Sequence, residues 1–133
     1  MAAVTAALVL AVPSAALQRP TTLSSPSGRS LGKIVPYSKT EWFYGASEEC
    51  HVEYWEGEYD VTLTHNDIGS ATRAGKGRWI VWTGQRFRGY IHERSPTVAT
   101  ITKRGGGGRV VAIARGPDPV AAGAVYLALG VCG

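Results

Sequence analysis

Thr64-His65-Asn66-Asp67-Ile68-Gly69-Ser70-Ala71-Thr72-Arg73-Ala74-Gly75 decides the fold, because the sequence on both sides of it reads as strand. Thr64 is a good helix N-cap, and Asp67 three residues on makes a capping box with Asp in place of Glu. Gly75 supplies a stop. The segment predicts a short helix from about His65 to Ala74, with Ile68, Ala71 and Thr72 or Ala74 turned to the core.

On its N-terminal side, His51–Trp55 and Tyr59–Leu63 alternate and are rich in β-formers. Glu56-Gly57-Glu58 lies between them, which predicts a hairpin. On its C-terminal side, Arg78–Thr83 and Arg86–His92 flank Gly84-Gln85, a two-residue turn. Thr97–Thr102 and Arg109–Ala114 flank Lys103-Arg104 and Gly105–Gly108. No Gly-Lys-Ser/Thr follows these glycines, so they read as a hairpin tip and not as a phosphate loop. Pro117-Asp118-Pro119 marks a turn, and the continuous apolar run Ala124–Val131 predicts a last, central strand. The expected class is α+β: one short helix packed on an antiparallel sheet, closed by one disulfide.

The ends of the chain carry a second set of expectations. Residues 1–16 resemble a signal peptide: Ala2–Val12 are apolar apart from Thr5, and Ser14-Ala15-Ala16 offer small residues for cleavage after Ala16. Residues 17–46, rich in Pro, Ser, Thr and Gly, read as a linker or propeptide, and residues 47–133 as the folded domain. No later segment is long and apolar enough to span a bilayer as a helix, so the mature protein is expected to be secreted and monomeric, without a membrane anchor. In an oxidising compartment the two cysteines, Cys50 and Cys132, have one intramolecular pairing. His51, His65 and His92 are scattered, and no metal or other cofactor is expected.

Charge is divided along the chain. Residues 41–67 hold eight acids and no Lys or Arg, whereas residues 73–115 hold ten Lys or Arg and one acid, Glu93. A basic half suits an anionic partner such as RNA, or the two halves pair within the domain. Within the basic half, the 78–92 hairpin predicts one face made by Ile80, Trp82, Phe87, Gly89 and Ile91. The other gathers Trp79, Val81, Arg86, Arg88, Tyr90 and His92. Rings interleaved with arginines suit base stacking and phosphate contact. Trp79, Arg86, Arg88, Tyr90, His92 and Arg109 are therefore the candidate RNA-binding residues. The alternative is that Trp79 and Tyr90 pack under another part of the chain.

The order of these parts resembles the fungal guanyl-specific microbial ribonucleases. Asp67-Ile68-Gly69-Ser70-Ala71-Thr72-Arg73-Ala74-Gly75 looks like that family's helix, and Gly107-Gly108-Arg109-Val110-Val111 looks like its arginine-bearing strand. The resemblance implies a microbial-ribonuclease-like sheet in which Arg109 steadies the phosphate, with Glu93 or His92 as remnant candidates for the base. The final strand reads Val125-Tyr126-Leu127-Ala128 where the family carries its acid histidine, so the acid–base pair is missing. The chain is thus similar to catalytically degenerate, ribonuclease-like secreted fungal effectors. That likeness implies a non-catalytic virulence-type protein that binds host RNA or a host protein, with the host cell as a destination after secretion. Two other readings stand beside it: an active guanyl-preferring ribonuclease or ribotoxin, and an unrelated small β-rich effector or toxin.

Overall fold

A computed structural model describes residues 19–45, 47–130 and 132. Ten strands run in sequence order: β1 (Thr21–Ser24), β2 (Ser30–Pro36), β3 (Glu41–Tyr44), β4 (Ser47–Trp55), β5 (Glu58–Leu63), β6 (Asn66–Arg73), β7 (Arg78–Thr83), β8 (Arg86–Ser95), β9 (Val98–Lys103) and β10 (Val110–Arg115). Each pairs antiparallel with its neighbour in sequence, and β10 returns to pair with β1, which closes the sheet into a barrel. A helix, α1 (Pro119–Leu129), follows β10. It packs against all ten strands and is buried from Pro119 to Ala128, so it fills the barrel.

The width of the barrel explains the helix. Barrel diameter grows with strand number, and about eight strands make an interior that wall side chains can fill. Ten strands leave a wider lumen. The helix that occupies it is slim, with Ala121, Ala122, Gly123, Ala124 and Ala128, and the wall meets it with further small residues at Ala71, Ala99, Ala112 and Ala114. Larger side chains (Leu23, Ile34, Val52, Val61, Val81, Ile91 and Ile101) fill the remaining gaps.

Three expectations are corrected. The α+β, ribonuclease-like sheet with a helix at 65–74 is replaced by the filled barrel. Residues 66–73 form β6, paired with β5 and β7 on both sides. Thr64 and His65 have φ of 50° and 68°, so they form the tight β5–β6 turn and not a helix cap. Gly69 lies so close to β7 that a Cβ there would overlap the Trp82 carbonyl. The run expected as a last strand, Ala124–Val131, is helical as far as Leu129. An apolar run without periodicity fits a buried helix as well as a buried strand, and Pro119 at the first helical turn favours the helix.

The third correction concerns the segment 17–46, expected as a linker or propeptide. It contributes β1, β2 and β3, and β1 closes the barrel. The suggested signal peptide, residues 1–16, lies outside the described residues. The hairpins at Glu56-Gly57, Gly84-Gln85 and Gly105–Gly108 fall where the sequence places them. Cys50 and Cys132 form the disulfide, Cα–Cα 6.4 Å, which ties β4 to the chain just beyond α1.

Candidate functional site

The outer wall of β7 and β8 carries a continuous ladder of rings. Trp82 lies 5.7 Å from Phe87, Phe87 lies 5.0 Å from Tyr90, and Tyr90 lies 6.0 Å from His92. The Arg78 guanidinium sits over the Tyr90 ring at 5.0 Å. His92 Nε2 is 3.3 Å from Thr102 Oγ1 on β9, and Arg94 donates to Thr100 Oγ1 at 3.0 Å. Burial, then Arg94 and Arg78, push the His92 imidazole below its ordinary pKa, so the ring is neutral near pH 7.

A bulge sets this face. Trp82 pairs with Phe87 as the two-residue turn requires, but the register then shifts, so that Val81 opposes Gly89 and Ile80 opposes Tyr90. The shift leaves Trp79, Val81, Gly89 and Ile91 buried in the lumen and Ile80, Trp82, Tyr90 and His92 on the wall. Of the expected RNA-binding group, Tyr90 and His92 are on the ladder. Trp79 is not: it lies inside the mouth where α1 starts, its Nε1–H donates to Glu93 Oε1 at 2.8 Å, and Arg73 covers its ring at 4.6 Å. Trp82, Phe87, Arg78 and Arg94 join the ladder in its place. The alternation of rings and cations in 78–94 was the signal for them, and the unseen bulge hid which rings face out.

Arg86 and Arg88 stand at the opposite mouth, where α1 ends. Arg88 Nε donates to the Leu127 carbonyl at 3.5 Å, and Lys103 Nζ lies 5.7 Å over the Tyr126 ring. With Phe87 and Arg104 they line a recess of about 220 Å³. Arg109 is exposed beside the glycine tip.

The remnant catalytic candidates are not brought together. Arg109 lies at the mouth where α1 ends. Glu93 lies at the other mouth, where its N–H donates to the Gly77 carbonyl at 2.7 Å and its carboxylate stands 4.0 Å from Arg73. His92 is adjacent in the strand and so points to the other side of the wall.

A second polar arrangement, unread in the sequence, crosses β3, β4 and β5. Glu41 Oε2 is 3.4 Å from His51 Nε2, and His51 Nδ1 is 3.2 Å from Thr62 Oγ1. His51 pairs across the ladder with Thr62 and with Phe43, whose ring packs on the imidazole at 5.4 Å, and Glu41 reaches it diagonally from two residues before Phe43. A carboxylate, an imidazole and a hydroxyl in sequence form a proton relay. Acyl transfer would also need donors for an oxyanion.

Beside the relay, Glu53 pairs across the strands with Asp60. Burial, a hydrogen bond with Glu58 and the charges of Glu58, Asp67 and Glu53 push the Asp60 carboxyl up to about 7. The acidic wall of β4–β6 and the basic, aromatic wall of β7–β9 thus occupy different sectors of one barrel.

No protein-family model, curated protein or solved structure matches the chain.

Proposed function

We propose that the protein is an exported, non-catalytic binding barrel that takes single-stranded RNA along the outer face of β7 and β8. One observation carries the reading: the Trp82–Phe87–Tyr90–His92 ladder, flanked by Arg78 and Arg94. The lumen is filled by α1, so a ligand of any size must bind the outside. Rings spaced along a sheet offer faces to successive bases, and each stacked base contributes about 1–3 kcal/mol. The flanking guanidiniums meet the phosphates, and the neutral His92 stacks without adding charge.

The test is titration of short fluorescent RNA at several salt concentrations. Binding is expected to weaken steeply with salt, and Trp82→Ala and Tyr90→Ala each to lower affinity by about tenfold or more. A protein that binds no RNA at low salt would overturn the reading. So would turnover of a guanosine dinucleotide that Arg109→Ala abolishes, since that would restore the ribonuclease alternative. Capture of a host protein with the ladder intact and no RNA affinity would move the assignment to a protein partner.

A further inference from the structure

We propose that the recess between Arg86, Phe87, Arg88, Lys103, Arg104 and Leu127 is a subsite for a phosphoryl-bearing anion, namely the phosphorylated end of the bound strand. The identity of that ligand rests on the RNA reading above; the anion subsite itself rests on the recess. Four cations and no acid line it. Among the described residues no carboxylate lies within 4.0 Å of any of the four. The terminus of α1 that faces them offers about half a negative charge. Among the described residues the four positive charges therefore face only that partial charge, and a multiply charged anion complements them.

The cations are not equivalent. Arg88 is half-buried and donates to the Leu127 carbonyl, and Lys103 is exposed with its ammonium over the Tyr126 ring. Arg86 and Arg104 are exposed at the rim, and the Arg104 N–H donates to the Arg88 carbonyl at 3.0 Å, which holds the two sides of the recess together. Guanidinium forks match phosphate oxygens two at a time, so two exposed arginines beside Arg88 and Lys103 suit a phosphoryl group better than a carboxylate. Gly105–Gly108 adds no side chain to the rim. Phe87 belongs both to this recess and to the ring ladder, so a strand whose first base stacks on Phe87 or Trp82 brings its terminal phosphate to the arginines.

The experiment uses the full, oxidised chain and calorimetric titration with inorganic phosphate and with tripolyphosphate. It then compares one RNA sequence carrying a 5′-triphosphate or a 5′-hydroxyl. Tripolyphosphate is expected to bind about tenfold or more tighter than phosphate, and Arg86→Glu with Arg104→Glu to weaken it by about tenfold or more. Lys39→Glu with Lys76→Glu makes the same charge change in turns at the other end of the barrel and is expected to matter by less than about twofold. The 5′-triphosphate strand should bind the native chain about tenfold tighter than the 5′-hydroxyl strand. Equal losses in the two charge-reversed pairs, or no tripolyphosphate binding, would overturn the subsite. RNA that binds through Trp82 and Tyr90 but ignores its 5′ group would also overturn it and leave the RNA reading intact. Tripolyphosphate seated on Arg86 and Arg104 with no RNA affinity would support the anion subsite and remove the RNA reading alone.

Discussion

Replacing Gly123 by alanine tests whether α1 lies inside the barrel as packed here. In a helix on open surface this substitution stabilises by about 0.8–1 kcal/mol, because alanine restricts the unfolded chain and favours the helix. Gly123 faces Ile91 instead. A Cβ there would meet Ile91 Cγ1 at 2.9 Å, Cδ1 at 3.0 Å and Cγ2 at 3.2 Å. Ile91 is itself fully buried in β8. Overpacking of this kind costs typically 1–3 kcal/mol. The difference leaves Gly123→Ala destabilising by about 1 kcal/mol, a drop in Tm of about 4 °C for a domain of this size. Removing the obstacle should reverse the sign: in an Ile91→Ala background, itself costing about 2–5 kcal/mol, Gly123→Ala should stabilise. Urea unfolding of the four proteins completes the cycle. If Gly123→Ala stabilises by about 1 kcal/mol with Ile91 present, and the two sites are additive, the helix does not lie against β8 and the account of the barrel's interior fails.

Further consequences can be measured on the same protein. Asp60 has a folded-state pKa raised from 3.8 to about 7, so its protonated form contributes stability that is complete below about pH 4 and is lost as pH rises through 7. Asp60→Asn should therefore stabilise at pH 8 by about 1 kcal/mol, solvent access to the group keeping the effect well below the full shift, and should flatten the pH dependence of the urea midpoint. Unchanged pH dependence would contradict the acidic cluster. The Cys50–Cys132 bridge spans 82 residues, for which chain entropy gives about 4–5 kcal/mol. Replacing both cysteines with alanine should lower unfolding free energy by about 2–5 kcal/mol, and a loss under about 1 kcal/mol would show that the tether matters little. Iodide should quench Trp55 and Trp82, 62% and 36% exposed, and spare Trp42 and Trp79, 4% and 3% exposed. Trp82→Phe should reduce the quenchable fraction and Trp79→Phe should raise it; the opposite pattern would contradict the outward facing of Trp82 on β7.

The two segments whose secondary structure was exchanged show where local reading ends. Thr64–Gly75 contains a cap, an acid three residues on and a final glycine, which are the marks of a short helix. Its Ile68-Gly69-Ser70-Ala71-Thr72 interior has weak helix propensity, and ladders with β5 and β7 on both sides outweigh the cap. The last apolar run has no period that separates a buried strand from a buried helix, and only closure of the sheet around it selects the helix.

By itself the sequence determined what depends on neighbours along the chain: the hairpins at 56–57, 84–85 and 105–108, the pairing of its two cysteines, and the division into acidic and basic halves. Tertiary structure decided what depends on register and closure. The bulge between Val81 and Trp82 put Tyr90 and His92 on the Trp82 face of the hairpin and not on the Trp79 face, because one extra residue in β8 turns every later side chain to the other face. Closure of β1 on β10 drew residues 21–44 into the barrel and set α1 in its lumen. It also placed Arg86, Arg88, Lys103 and Arg104, contributed by two separate hairpins, around the end of that helix, a juxtaposition that no spacing along the chain encodes.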